Sequence, residues 1–207
     1  MEVFDRKAHW ENIYSTKKLN EVSWYQPKPE TSLGFIQDLN ISKTASIIDI
    51  GGGDSFLVDN LLKLGYTNVT VLDISRKAIE RAKKRLGKQS EQVTFIEADA
   101  SNFMPSQTYD LWHDRAAFHF LTDEKEIENY IKAAENGVKS SGNMIIGTFA
   151  VDGPTKCSGI EIKQYSKTSL SDRFGKQFKK LDCKKLGHKT PFDTIQNFVF
   201  CTFQKIS

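Results

Sequence analysis

The sequence has little cysteine and no long apolar run. Its three cysteines, Cys157, Cys183 and Cys201, lie far apart and form no C-x-x-C pair. This spacing predicts neither a disulfide framework nor a metal site, and it favours a reducing compartment. No run of 18 apolar residues is present, and the first ten residues lack the apolar core of a signal peptide. We therefore expect a cytoplasmic protein with no membrane span.

The chain also has little net charge. Its 29 basic and 26 acidic residues leave a formal charge of +3. A dedicated nucleic-acid binder carries a denser basic footprint, so the composition does not favour that class of partner. With 207 residues and 39% hydrophobic content, one domain over residues 1–207 with a single core is expected.

A glycine turn follows a short β-branched strand. Residues 47–55 read Ile-Ile-Asp-Ile-Gly-Gly-Gly-Asp-Ser. The isoleucines predict a strand buried on both faces of a parallel sheet. Three glycines allow the backbone to approach a ligand closely, and Asp54 and Ser55 are N-cap candidates for a helix that begins near Phe56. This arrangement predicts a nucleotide-type site at the carboxyl edge of the sheet.

Two acidic residues indicate which ligand the turn holds. Asp49 precedes Gly51 by two residues, and Asp54 follows the turn. Carboxylates at these positions would repel a pyrophosphate but favour a ligand that carries an ammonium and a sulfonium. In addition, Phe56 occupies the position of the third glycine of the dinucleotide fingerprint.

Strands and helices alternate over about 100 residues, which predicts parallel βαβ units. Strands are expected at 47–50, 69–73, 93–97, 109–113 and 144–149, with helices at 30–39, 56–64, 76–86 and 123–138. Beyond them we expect a long loop at 150–166, a short helix at 168–174 and an antiparallel strand pair at 178–187 and 195–203.

The pattern Asp49-x-Gly51-x-Gly53 resembles motif I of the class I S-adenosylmethionine (SAM) methyltransferases. The resemblance implies an α/β, Rossmann-like fold: a seven-stranded, mostly parallel sheet with a C-terminal antiparallel hairpin and helices on both faces. It also implies SAM as cofactor. Residues 1–30 would then be an N-terminal arm or lid, residues 31–149 the SAM-binding core, and residues 150–207 the substrate loop and hairpin.

The resemblance assigns roles to individual residues. Asp73 lies 20 residues beyond Gly53, the offset at which such folds bind ribose hydroxyls. On the family pattern, Ile74 would contact the adenine, Asp99 would accept from its amino group, and the Ala100 N–H would lie beside it. The residues expected around the methionine part of SAM are Asp49, Gly51, Gly52 and Gly53.

The segment 113–121, His-Asp-Arg-Ala-Ala-Phe-His-Phe-Leu, is similar to that of thiopurine- and tellurite-type methyltransferases and of a bacterial group with a His-Asp-Arg-Ala-x-Phe-His-Phe-Leu signature. It implies catalytic or positioning roles for His113, Asp114 and Arg115, with His113 also a cofactor contact. The Asn/Asp-Pro-Pro-aromatic motif of enzymes that methylate nucleic-acid bases is absent. His119 is either a structural histidine or a site residue, and Cys157 either a buried spectator or an acceptor contact.

The arm contains Trp10, Tyr14, Trp24 and Tyr25. It resembles the arms of small protein-lysine methyltransferases, which usually carry Asp-Lys-Gly-Thr where this chain has residues 114–117. Trp24 is expected to cover and bind the cofactor as part of a lid; the alternative is simple packing of the arm on the domain.

Three hypotheses for function follow. The first is a SAM-dependent methyltransferase whose partner is a small-molecule acceptor, with sulfur, selenium or tellurium as the acceptor atom. The second is a protein-lysine methyltransferase, with a protein substrate. The third is a non-catalytic SAM-binding regulator. The sequence identifies neither the acceptor nor the oligomeric state.

Overall fold

A computed structural model describes residues 4–206, so residue 207 and the first three residues of the predicted arm lie outside it. The helices are α1 Arg6–Thr16, α2 Glu30–Asp38, α3 Leu57–Lys63, α4 Arg76–Leu86, α5 Glu124–Gly137 and α6 Lys167–Phe174. The strands are β1 Ser46–Ile50, β2 Asn68–Asp73, β3 Val93–Glu97, β4 Tyr109–Arg115, β5 Val138–Phe149, β6 Lys156–Cys157, β7 Ile160–Glu161, β8 Phe178–Lys189 and β9 Ile195–Lys205.

Seven strands form one sheet in the order β3-β2-β1-β4-β5-β9-β8. Strands β1 to β5 pair in parallel, while β9 is antiparallel to both β5 and β8. The predicted Rossmann-like fold is confirmed. The direction of winding reverses between β1 and β4, so the carboxyl ends of these two strands leave a crevice between them.

The two faces of the sheet bury separate apolar clusters, because successive side chains of a strand point to opposite faces. Ile47 on β1 belongs to a cluster with residues of α2 and α3, and Ile48 to a cluster with residues of α5 and α6. All five residues of β1 are buried, as expected of a central parallel strand.

The structure differs from the prediction at the start of β5. This strand begins at Val138, directly after α5, six residues before the predicted start at Met144. Its first residue pairs with Tyr109 of β4, but the register shifts before the next pair, and Ser141 has a positive φ of 59°. A hydrophilic bulge therefore interrupts the strand, which explains why its apolar pattern begins late.

Two other expectations need correction. Cys183 and Cys201 lie opposite each other on β8 and β9 and form a disulfide, although the sequence spacing had argued against one. Within the loop predicted at 150–166, β6 and β7 form a small hairpin. Among residues 4–206, no helix is long and apolar enough to cross a membrane.

Candidate active site

A cleft of about 1260 Å³, including the part open to solvent, lies at the carboxyl ends of β1, β2 and β4 under the N-terminal arm. All but two of the predicted site residues line it. The predicted residues that line the cleft are Trp24, Asp49, Gly51, Gly52, Asp73, Ile74, Asp99, Ala100, His113 and Arg115. Gly53 and Asp114 do not line the cleft.

The glycine turn brings the backbone against carboxylates. A Cβ on Gly52 would lie 2.5 Å from Asp49 Oδ2, and a Cβ on Gly53 would lie 2.7 Å from Asp73 Oδ2. Gly53 also has a φ of +40°, a backbone conformation that favours glycine. Gly53 leaves room for the Asp73 carboxylate, and the contact of Gly53 itself with the cofactor stays a prediction.

Three carboxylates, Asp49, Asp54 and Asp73, face the cleft with only 3–4% of each residue exposed. Burial, with the negative charges of Asp54 and Asp49 nearby, raises the pKa of Asp73 to about 7. The negative charge of Asp54 is offset by Arg81, whose Nε lies 3.0 Å from Asp54 Oδ2. Such a cluster favours a cationic ligand with hydroxyl donors, and SAM carries an ammonium, a sulfonium and a ribose.

Asp99 lies at the other end of this part of the cleft, with Ile74 and Ala100 beside it. Its Oδ1 accepts a hydrogen bond from the Ser101 backbone N–H at 2.8 Å. Arg6 of α1 lies 3.2 Å from Oδ2 of the same carboxylate. The carboxylate is therefore held in one orientation at the position predicted for the adenine amino group.

His113 is buried beneath the glycine turn, and both of its ring nitrogens are used. Nδ1 lies 2.7 Å from Asp49 Oδ1, and Nε2 lies 2.9 Å from Ser32 Oγ on α2. Because a carboxylate only accepts, Nδ1–H donates to Asp49, and in the neutral ring Nε2 then accepts from the Ser32 hydroxyl. His113 thus orients Asp49 and keeps no free nitrogen for a substrate proton. Ser32 was missed by sequence reasoning.

Asp114, for which a catalytic role was predicted, lies outside the cleft lining. Its carboxylate is fully buried away from the cleft, where it accepts from the backbone N–H groups of Ala117 and Phe118 and from Tyr130 Oη at 2.6 Å. Burial raises its pKa to about 6. These bonds fix the turn after β4, in which Ala116 has a φ of 70°. The role of Asp114 is structural.

His119 is also structural, which decides between the two readings of this residue. It is fully buried outside the cleft lining, and its Nδ1 accepts from the Phe149 backbone N–H at 3.3 Å. Burial lowers its pKa to about 3, so the ring is neutral. Cys157, in contrast, lines the cleft as a buried thiol whose pKa burial raises to about 11.

The arm roofs the cleft with aromatic rings. Trp10 packs edge-on against Trp24 and Phe120, with ring centroids 5.7 and 5.1 Å apart. Tyr14 also lines the cleft, and its hydroxyl lies 3.1 Å from where a Cβ on Gly53 would be. Sequence reasoning gave Tyr14 no role, although its i, i+4 spacing from Trp10 places both on one helix face.

Polar bonds fix the arm to the domain at the start and in the middle of α1. Arg6 bridges Asp99 and Glu126, the latter at 2.7 Å. Glu11 accepts from the Arg76 and Lys77 backbone N–H groups, so it caps the N-terminus of α4. The arm is thus attached to Asp99 and to α4, the helix that follows Asp73.

We divide the cleft into two halves by the sheet order. The cofactor half lies at the ends of β1, β2 and β3 and contains Asp49, Gly51, Gly52, Asp73 and Asp99. The acceptor half lies on the other side of β4, under the arm and towards β9. Its lining includes Trp24, Arg115, Phe149, Cys157, Gln196 and Phe198.

Comparisons with known proteins agree with this geometry. Residues 47–142 match the family described as "Methyltransferase domain". A malonyl-[acyl-carrier protein] O-methyltransferase of Ilyobacter polytropus is 31% identical over 90 residues, 43% of this chain and 33% of that protein. EEF1A lysine methyltransferase 2 of Homo sapiens is 22% identical over 193 residues, 85% of this chain and 75% of that protein.

The crystal structure of the N-methyltransferase NodS from Bradyrhizobium japonicum, in complex with S-adenosylhomocysteine (SAH), shares the fold. Its TM-score is 0.72 at 14% identity, over 98% of this chain and 100% of that chain. This chain spans only a third of the length of the bacterial O-methyltransferase. The chain thus has the Rossmann-like fold of the NodS methyltransferase structure, and its residues 47–142 match a methyltransferase domain.

Proposed function

We propose that this protein methylates a small-molecule acceptor at a soft nucleophile: sulfur, selenium or tellurium. One observation carries the proposal: among the described residues that line the acceptor half, none is a carboxylate or a free imidazole. Of the ionisable residues that line the cleft, each carboxylate lies in the cofactor half, and the one imidazole, His113, is bonded through both nitrogens. An acceptor that loses its own proton near neutral pH fits such a site.

The roles of the residues follow from their positions. SAM, when bound, supplies a methyl group bonded to a sulfonium. The sulfur leaves as a neutral thioether, so the leaving group needs no acid. Asp73 would accept from the ribose hydroxyls, Asp99 from the adenine amino group, and Asp49, oriented by His113, would attract the ammonium. The aromatic roof would exclude water from the reacting atoms. On this account the protein contributes alignment and desolvation.

A protein-lysine methyltransferase is the second candidate, favoured by the likeness to EEF1A lysine methyltransferase 2 and by the arm. A lysine ammonium, with a pKa near 10.4, must lose a proton before its nitrogen can attack. In the acceptor half, Arg115 adds a positive charge, and within residues 4–206 the lining supplies no carboxylate to receive that proton. We therefore rank this function second, and a non-catalytic regulator third, because the cleft extends beyond the cofactor half.

Labelled SAM tests the proposal directly. Purified protein would be incubated with labelled SAM and either 4-nitrothiophenol, a thiol of low pKa, or a lysine-containing peptide. We expect a methyl thioether from the thiol and no label on the peptide. Label on the peptide without thioether would favour the lysine function. SAM binding by calorimetry, with no transfer to any acceptor, would favour the regulator.

A further inference from the structure

Arg115 is exceptional among the six arginines of the chain. The other five each form an ion pair with a carboxylate; they are Arg6, Arg76, Arg81, Arg85 and Arg173. Within residues 4–206, no carboxylate lies within 4.0 Å of the Arg115 guanidinium. The residue without a counter-ion is therefore the arginine in the acceptor half.

The Arg115 guanidinium is fixed in position by its contacts, but its hydrogen-bond donors are not all paired. Nη1 donates to the Trp24 carbonyl oxygen at a long 3.5 Å, and Nη2 is buried without a hydrogen-bond partner among the described residues. The group lies 5.0 Å from the centroid of the Phe198 ring, which orients it without neutralising it. Buried charges in proteins are normally paired, because an unpaired charge costs several kcal/mol of desolvation. An anion bound in the cleft would supply the partner of this guanidinium.

The direction of the side chain shows which part of the cleft the anion occupies. Arg115 ends β4, and its guanidinium reaches Phe198 on β9, two strands further across the sheet. The glycine turn and Asp73 lie on the opposite side of β4. The side chain thus points away from the cofactor half.

The surroundings of Arg115 indicate the kind of molecule. Rings of Trp24, Phe149 and Phe198 line the acceptor half, and its polar groups besides Arg115 are uncharged: the side chains of Ser23, Gln26 and Gln196 and the Cys157 thiol. Apolar walls with one buried cation suit a small, flat, largely apolar acid. A guanidinium also presents two parallel N–H donors, which match the two oxygens of a carboxylate.

We propose that Arg115 forms an anion subsite that binds a carboxylate carried by the methyl acceptor. This inference rests on the proposed function and adds the substrate class: a small acid with an apolar body. The methionine carboxylate of the cofactor is the other possible source of the same chemistry, and the experiment separates the two.

Benzoate and benzamide are matched probes, since they share a ring and differ in charge. Their binding to the full chain would be measured by calorimetry with saturating SAH. We expect benzoate to bind at least about ten-fold more tightly than benzamide. In Arg115→Gln the preference should fall to about three-fold or less, whereas Arg115→Lys, which keeps the charge, should retain part of it.

Stability of the unliganded protein provides a second measurement. Replacing an unpaired buried cation removes a desolvation cost, so Arg115→Gln should leave the thermal midpoint unchanged or raise it. Arg85→Gln is the matched control, because Arg85 pairs with Asp59 at 2.8 Å outside the cleft lining; it should lower the midpoint. A large loss of stability in Arg115→Gln would show a structural arginine and overturn the subsite.

Other results would also overturn the inference. Equal affinity of wild-type protein for benzoate and benzamide would do so, whatever the variants show. If Arg115→Gln weakens SAH binding but leaves that of 5′-methylthioadenosine, which lacks the amino-acid part, the carboxylate is the cofactor's. Methylation of neutral thiols without any preference for acids would leave the proposed function intact and reject the subsite alone.

Discussion

Asp73 shows how one residue links charge, stability and cofactor binding. Its pKa, about 7 in the folded protein, lies above the ordinary value of 3.8 because the carboxylate is buried beside other carboxylates. Between these two pH values the folded protein keeps a proton that the unfolded chain releases. The contribution of Asp73 to stability therefore falls as pH rises towards 7 in the unliganded protein.

Cofactor binding should have the opposite pH dependence, because ribose hydroxyls donate to the ionised carboxylate. We expect SAH affinity to rise about ten-fold from pH 6 to pH 8. Asp73→Asn should weaken binding by about 1.5–3 kcal/mol and flatten the dependence. Calorimetry at several pH values measures both effects. A profile that remains as steep in Asp73→Asn as in the wild type would contradict the assignment.

Sequence reasoning located most of the predicted site residues in one cleft because the carboxyl ends of parallel strands converge at one edge. It failed where adjacency in the chain was taken for adjacency in space. His113, Asp114 and Arg115 are consecutive on a strand, so the middle side chain points away from the other two. The bond from Ser32 to His113 joins residues 81 positions apart, and no local pattern predicts such a contact.

At the scale of elements, the arm is the part whose role the sequence left open. Trp10 and Trp24 pack on each other and on Phe120, while Tyr14 lines the cleft. The polar attachments of α1 reach Asp99 in the cofactor half and α4 next to it. The arm thus has contacts suited both to packing and to covering the site.

Removal of residues 1–26 tests the lid function. We expect a folded domain that still binds SAH but lacks turnover, because water would enter the acceptor half. Circular dichroism and calorimetry would establish folding and binding. A milder control is Glu11→Gln, which weakens only the cap on α4. If the truncated protein unfolds, the aromatic residues are core packing and the lid hypothesis loses its support.

The C-terminal hairpin contains the Cys183–Cys201 disulfide, which the sequence analysis did not predict. The residues are 18 positions apart in sequence, and closing a loop of this size stabilises a fold by about 3 kcal/mol on a chain-entropy estimate. Cys183→Ser should therefore lower the free energy of unfolding by about that amount in oxidising buffer, with Cys157→Ser as the control. Reduction of the wild type with dithiothreitol should have the same effect. Equal stability with and without reductant would show that the bridge contributes nothing.

The helices and strands themselves were largely predictable, since hydrophobic periodicity gave the bounds of α4 and β3 to the residue. The start of β5 was not, because residues 139–142 leave the ladder with β4. The disulfide was not predictable from the sequence either. It depends on cross-strand register, which places Cys183 opposite Cys201 and which sequence spacing does not reveal.

At the scale of the whole molecule, the sheet order separates the cofactor half of the cleft from the acceptor half. Strands β1 to β3 present carboxylates and a glycine turn, which suit a cationic nucleotide. Beyond β4, the cleft is aromatic and carries the unpaired cation of Arg115. The central claim is that the methyl acceptor reacts there without a base from the protein.

The pH dependence of methyl transfer to 4-nitrothiophenol tests that claim most directly. With SAM saturating at each pH, the rate should follow ionisation of the thiol and remain flat above its pKa. His113→Asn should change KM more than kcat, because His113 only orients Asp49. A rate limb near pH 6–7 that disappears in His113→Asn, with kcat reduced by about 10²–10⁴, would show that His113 acts as a base and would contradict the account.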